Sequence, residues 1–363
     1  MGFGGPPAHI ALLRDLVVDR RRWLSRDDLE HGIAATNLLP GPASTQLAIY
    51  CAWRVRGIAG ALVGGLAFIV PGLILIILLA ALFLGSPPEW VRGVGAGAGA
   101  VVAAVAVHAG VSLAPAGWRR ARDDGSRVRW GAYLAAGAVA TVLLGPWLVL
   151  VLLGCGAIEL IRRRLARRGA ALVDPGLLLL AGASGAAGIG ALAWTAFKVG
   201  ALSYGGGFVI IPLMQSDAVD RYGWMTDPEF LNAVALGQAT PGPVVQTVAV
   251  VGYAAAGVPG ALLAAVVAFA PSFWFIGLGA RRFDRLRTDP DARAFLDGAG
   301  PAAIGAIIGS AVPLALALSE GWQAGLLAAG AVALLVFRVG VVPTLLGAAA
   351  IGAIAALAGA PVP

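Results

Sequence analysis

Leu38-Leu39-Pro40-Gly41-Pro42-Ala43-Ser44 and Ala239-Thr240-Pro241-Gly242-Pro243-Val244-Val245 stand 201 residues apart in an otherwise apolar chain. The register extends outward from both. Upstream, Phe3-Gly4-Gly5, Asp19-Arg20 and Trp23 match Tyr204-Gly205-Gly206, Asp220-Arg221 and Trp224 at the same offset. Downstream, after a slip of one residue, Gly57, Gly60 and Pro71 match Gly257, Gly260 and Pro271. An internal duplication with a Pro-Gly-Pro break in each copy is the pattern of a secondary transporter. Helices broken at matching places in two halves point to its substrate site.

The composition agrees. Of 363 residues, 59% are hydrophobic and 12% charged, and the mean hydropathy of +0.86 excludes an ordinary soluble domain. The 52 glycines suit membrane helices that pack closely through small residues. Cys51 and Cys155 each sit in an apolar segment, which fits packing better than a disulfide or a metal site. No cofactor or metal is expected, and residues 3–26 lack the apolar region and cleavage site of a signal peptide. The net charge of +7 does not imply nucleic-acid binding, because the arginines fall in short clusters between apolar runs.

A crossing of ~30 Å needs ~20 apolar residues. Candidates are 57–84, 93–113, 257–280, 295–318, 321–337, 341–360 and 176–202. Residues 131–161 exceed one crossing and contain Gly145-Pro146, so two short helices are expected there. Segments 29–53 and 230–253 read as half-helix pairs around the two breaks. Arginine clusters at 20–26, 119–129, 162–168 and 281–293 belong on the cytoplasmic side, whereas 85–90 has no basic residue and fits outside. The counterpart of the first cluster, Asp217, Asp220, Arg221, Asp227 and Glu229, has lost its positive charge.

The expected fold is therefore an all-α polytopic membrane protein. It has two inverted repeats, each of about five transmembrane helices plus a re-entrant pair broken at Pro-Gly-Pro. The repeats are placed at 1–161 and 176–363, with a basic cytoplasmic linker at 162–175. The second repeat opens with an apolar helix before Tyr204, and symmetry predicts a matching one upstream of Phe3.

At these motifs the chain resembles the chromate ion transporter family in its long form with two homologous domains. The residues that carry the likeness are Phe3-Gly4-Gly5-Pro6, Ala8-His9-Ile10, Arg20-Arg21-Arg22-Trp23-Leu24 and Leu38 to Ser44. In the second half they are Phe197-Lys198-Val199-Gly200, Tyr204-Gly205-Gly206-Gly207, Ile211-Pro212 and Thr240-Pro241-Gly242-Pro243. The resemblance implies export of chromate across the inner membrane, chromate resistance, and a drive from the membrane potential or an ion gradient; proton antiport would add to that drive. Sulfate is the natural structural mimic, and relatives that move other oxyanions leave the substrate open. The expected partners are the oxyanion and the lipid bilayer, with a homodimer left open and no nucleic acid.

Pro42 and Pro243 can each start a half-helix. The N–H groups of Ser44, Thr45, Val245 and Gln246 would then stay free at the positive end of a helix dipole, a ready oxyanion site. Asn37, Ser44, Thr45 and Gln46 in one copy, with Gln238, Thr240, Gln246 and Thr247 in the other, supply polar side chains nearby. The plain alternatives are a kinked helix and interhelical hydrogen bonds. Candidate substrate-binding residues thus include Pro40, Gly41, Pro42, Pro241, Gly242 and Pro243. Gly4, Gly5, Tyr204, Gly205, Gly206 and Gly207 are candidates for a hinge or for close backbone approach.

Lys198 is the chain's only lysine and lies in an apolar run. A cation there usually marks function, so Lys198 either balances the anion's charge or titrates to couple a proton. Snorkelling to an interface is the alternative. His9, His31 and His108 are too scattered for a metal site. A membrane-embedded enzyme would need a nucleophile and base or a carboxylate–metal cluster, which the spans do not offer, and an anion channel on the same fold remains a rival.

Overall fold

The computed structural model describes residues 5–36, 39, 41–123, 125–144, 147–168, 188–203, 210–279 and 289–363. The described residues are helical throughout, without a strand. Helix α1 (Gly5–Arg14) runs into a π-helical turn, and α2 (Arg26–Thr36) precedes the first Pro-Gly-Pro. The long α3 (Ala43–Phe83) follows, then α4 (Glu89–Ala100), α5 (Val102–Asp123), α6 (Arg127–Leu144) and α7 (Leu148–Arg168). In the second half come α8 (Ile189–Leu202), α9 (Ile210–Gln215) with its own π turn, and α10 (Asp227–Ala239). After the second Pro-Gly-Pro, α11 (Thr247–Gly279) leads to α12 (Pro290–Gly309), α13 (Ala311–Leu316), α14 (Gly321–Leu335) and α15 (Val341–Leu357).

Local geometry recurs at the spacing read from the sequence. The π turns cover Asp15–Arg20 and Ser216–Arg221, and each ends with a tryptophan N–H (Trp23, Trp224) bonded to a carbonyl at 2.8 Å. Helices α2 and α10 open alike: Ser25 exchanges hydrogen bonds with Asp28, and the Glu229 carboxylate accepts from the Thr226 N–H and hydroxyl. At the breaks, Gly41 has φ +120° and Gly242 φ +126°, values that disfavour any side chain. Further on, Arg56-Gly57 and Ala256-Gly257 leave helical geometry in the same way, with φ +60° and +62° at the glycines.

Those second kinks divide 43–83 and 247–279 each into two helices, and the divisions fall where the sequence placed the start of the spans 57–84 and 257–280. Among the described residues four helical stretches are long and apolar enough to cross a membrane: Ala43–Phe83, Glu89–Pro115, Val244–Gly277 and Pro290–Leu316. The two short helices expected across 131–161 are α6 and α7. Residues 176–187 of the proposed 176–202 span lie outside the described residues, as do 169–175 of the linker.

Packing crosses between the halves. Helix α4 lies on α15, where a Cβ on Gly97 would fall 2.2 Å from the Ala348 carbonyl and one on Gly352 would fall 2.1 Å from the Gly93 carbonyl. Helix α12 returns the exchange by packing on α6 and α7: a Cβ on Gly305 would lie 1.8 Å from the Leu134 carbonyl. Small residues one turn apart let these backbones touch. Arg163 and Arg164 of α7 pair with Asp297 and Asp291 of α12 at 2.8 and 2.7 Å, and buried Glu159 accepts from Arg162 at 2.7 Å and Tyr133 at 3.1 Å. The kinked stretches α3 and α11 pack against each other, and α8 packs against α11.

Candidate functional site

Each Pro-Gly-Pro turn is roofed by a glutamine from the helix it starts. Proline sets the entry: Pro42 (φ −72°) and Pro243 (φ −71°) are extended in ψ and immediately precede helical residues. Gln46 then folds back over Gly41, its Nε2 lying 2.4 Å from where a Cβ would stand. Gln246 does the same over Gly242, with Oε1 at 2.8 Å and Nε2 at 3.0 Å from that point. Both glutamines are fully buried.

The two turns rest on different walls. The second sits on α3 beside Pro71, where Gln246 Nε2 donates to the Ile69 carbonyl at 2.7 Å. A Cβ on Gly72 would fall 2.1 Å from the Pro241 carbonyl. The first turn faces the end of α8, and the Gly200 carbonyl lies 3.4 Å from the Cβ position of Gly41. The residue matching Gly72 in the second half is Ser272, fully buried and after Pro271.

Several polar atoms of the segments that flank or match these turns are buried without a hydrogen-bond partner among the described residues: Thr45 Oγ1, Gln238 Nε2, Gln246 Oε1 and Ser272 Oγ. Leaving such a group unpaired costs about 1–3 kcal/mol. The hydroxyls and the Gln238 amide can donate to an oxygen-rich ligand; Gln246 Oε1 can only accept. The sequence did not single out Ser272, although its place after a proline repeated in register was the available signal.

Other expected donors are occupied. The Gln246 N–H bonds to the Pro243 carbonyl at 2.9 Å, because Val244–Gln246 tightens into a 3-10 turn, so it is not the free end that the sequence suggested. Thr240 and Thr247 spend their hydroxyl protons on the Leu236 and Val244 carbonyls, each at 2.8 Å. In the first half α3 begins at Ala43 and its first helical donor is the Gln46 N–H to Pro42, leaving the N–H groups of Ser44 and Thr45 without an intrahelical acceptor. Asn37, Pro40, Gly4 and Tyr204 to Gly207 lie outside the described residues, and Gly5 is described only as the start of α1.

Lys198 has a partner that sequence reasoning missed. Its Nζ meets Asp217 Oδ2 at 2.5 Å, and Thr195 Oγ1 donates to the same oxygen at 2.8 Å. Asp217 is fully buried, and its Oδ1 has no partner among the described residues. Thr195 and Lys198 are three residues apart on one face of α8, whereas Gly200, packed on the Ala268 carbonyl of α11, lies about 200° round the helix from Lys198. The ion pair therefore occupies the side of α8 turned from α11.

The sequence pattern of the chromate transporter family matches residues 1–160 and 190–354. A chromate transport protein of Cupriavidus metallidurans is 32% identical over 330 residues, covering 87% of this chain and 79% of its own. A probable chromate transport protein of Synechococcus elongatus is 30% identical over 324 residues, with 86% and 81% covered. An uncharacterized transporter of Methanocaldococcus jannaschii is 26% identical over 311 residues, with 79% and 74% covered. No solved structure matches the chain. With its broken helices, its apolar spans and a match over most of its length, this multi-pass membrane protein belongs to the chromate transporter family.

Proposed function

We propose that the protein exports chromate from the cytoplasm through a bacterial inner membrane, by secondary transport, and so confers chromate resistance. Residues 1–161 and 176–363 act as two inverted repeats joined by the cytoplasmic linker 162–175, each with a re-entrant pair at its Pro-Gly-Pro. The opposite charge bias of the matched segments, arginine-rich at 20–26 and acidic at 217–229, supports the inversion.

The observation that carries the reading is the pair of glutamine-roofed turns, supported by buried polar atoms without a partner among the described residues on Thr45, Gln238 and Ser272, which lie near the turns in sequence or at the repeat position of Gly72. A tetrahedral oxyanion seated there would accept from Thr45, Gln238 and Ser272 and from the N–H groups of Ser44 and Thr45 at the start of α3. Gly41, Pro42, Gly242 and Pro243 shape the turns, and Gln46 and Gln246 hold them. Thr195 and Lys198 stand beside this site rather than in it. Expulsion is downhill, since each negative charge leaving a negative interior gains ~2.3 kcal/mol per 100 mV.

The test is chromate accumulation in cells without their own exporter, carrying this chain or empty vector. Lower accumulation with the chain supports the reading. Equal accumulation, with protein present in the membrane, defeats it; direct uptake of labelled sulfate into vesicles would then test the other oxyanion. Saturable flux that follows the imposed gradient separates a transporter from a channel.

A further inference from the structure

The buried pair Asp217–Lys198 lies outside the proposed oxyanion site, and its carboxylate has no counterpart in the first half. At the repeat spacing of 201, Asp217 corresponds to Leu16, in the same turn of the first π-helical segment. A carboxylate placed once, inside a distorted helical turn, is not a product of the duplicated architecture. Its two oxygens differ. Oδ2 accepts from Lys198 Nζ and Thr195 Oγ1, whereas Oδ1 is buried and accepts nothing from any described residue.

We propose that Asp217 is a proton-binding site, and that a proton on Oδ1 uncovers the charge of Lys198 for the transported anion. The balance is simple: the carboxylate gains one proton and becomes a neutral acid, no other bond breaks, and Oδ2 still accepts from Thr195. The pair passes from no net charge to one positive charge. Lys198 lies two residues before Gly200, whose carbonyl faces the Gly41 turn, but on the other side of α8, so the uncovered charge acts on that turn through the field across the helix and not by contact. A dianion at that turn is then bound more tightly, and by linkage its presence raises the proton affinity of Asp217 by the same factor. Proton and anion bind together, so the pair supports co-transport of one proton and not exchange against it.

Few other groups can supply this proton linkage. Helix α11, packed on α8, has only Tyr253 among its titratable residues. Helix α12, which touches α9, carries Asp291, Arg293 and Asp297 in its first half, and both aspartates are paired with α7. Asp227 of α10 accepts from Gln215 at 3.1 Å, and Asp220 and Arg221 lie further along the π turn. Asp227 and Asp220 are the rivals to be controlled.

The proton site stands without the transport reading; its link to the anion rests on it. Protein reconstituted in lipid vesicles is acidified and followed by infrared difference spectroscopy, with wild type, Asp217→Asn, Asp217→Glu, Asp220→Asn and Asp227→Asn. A carboxylic-acid band present in wild type, Asp220→Asn and Asp227→Asn, shifted in Asp217→Glu and lost in Asp217→Asn supports the site. A band unchanged in Asp217→Asn overturns it. Chromate affinity is then measured against pH. Wild type and Asp217→Glu should bind up to about tenfold more tightly per unit of falling pH than the ligand's own titration explains, and Asp217→Asn should lose that excess. Equal slopes in wild type and Asp217→Asn overturn the linkage. If no variant binds chromate, the transport reading fails while the infrared result still decides the proton site.

Discussion

Gln246 reaches out of the second half of the chain and donates its side-chain amide to the Ile69 carbonyl in the first half, at 2.7 Å. That carbonyl lies in α3, two residues before Pro71. One side chain thus roofs its own turn and fastens it to the opposite half. Gln246→Leu should delete this bond between the halves and lower stability by about 0.5–1.5 kcal/mol. Chromate export should fall at least severalfold, read as accumulation normalised to membrane protein.

Gly72 makes the same junction possible from the other side. A Cβ there would fall 2.1 Å from the Pro241 carbonyl, which is backbone and cannot move aside. Gly72→Val should therefore abolish export. Gly347→Ala, whose Cβ meets nothing nearby, should be silent in the same assay.

Gly41 and Gly242 have positive φ, which costs a residue with a side chain roughly 1–2 kcal/mol before any clash. Gly242→Leu would also drive into Gln246. Normal transport by Gly242→Leu would remove the paired turns from the mechanism.

Ser272→Ala separates a ligand role from a structural one. Its hydroxyl has no partner among the described residues, so deleting it should leave thermal stability unchanged or slightly raised. If the hydroxyl serves the anion, chromate affinity should drop severalfold; an unchanged affinity would take Ser272 out of the site.

Lys198→Ala should lose both stability and export, because it strands a buried carboxylate, a change worth about 3–5 kcal/mol. Adding Asp217→Asn should recover much of the stability in a melting experiment but not the pH dependence of anion binding. Failure to recover stability would mean that the loss comes from the packing of the lysine stem and not from a stranded charge.

The paired breaks were legible because proline and glycine impose backbone angles whatever surrounds them; Gly41, Gly242, Gly57 and Gly257 all stand in the sequence at the spacing where the backbone turns. Asp217 was visible only as part of an acidic stretch. Hydropathy reads Ser216-Asp217-Ala218-Val219-Asp220-Arg221 as a polar loop, and only the π turn, with its extra residue, carries Asp217 inward to Lys198. Ser272 was hidden in an apolar run, where one hydroxyl hardly moves the average. The exchange of helices between halves was not legible at all, since Gly93, Gly97 and Gly352 advertise close contact without naming their partner.

That exchange governs how the protein can be made. Helix α4 leaves the ribosome early, yet the surface that covers Gly93 and Gly97 belongs to α15, the last described helix to emerge. Through most of synthesis its glycine-lined groove must face lipid or an insertion chaperone. Assembly therefore waits on the distal end of the message, and a nonsense codon ahead of α15 would leave a chain with the groove permanently open to membrane quality control.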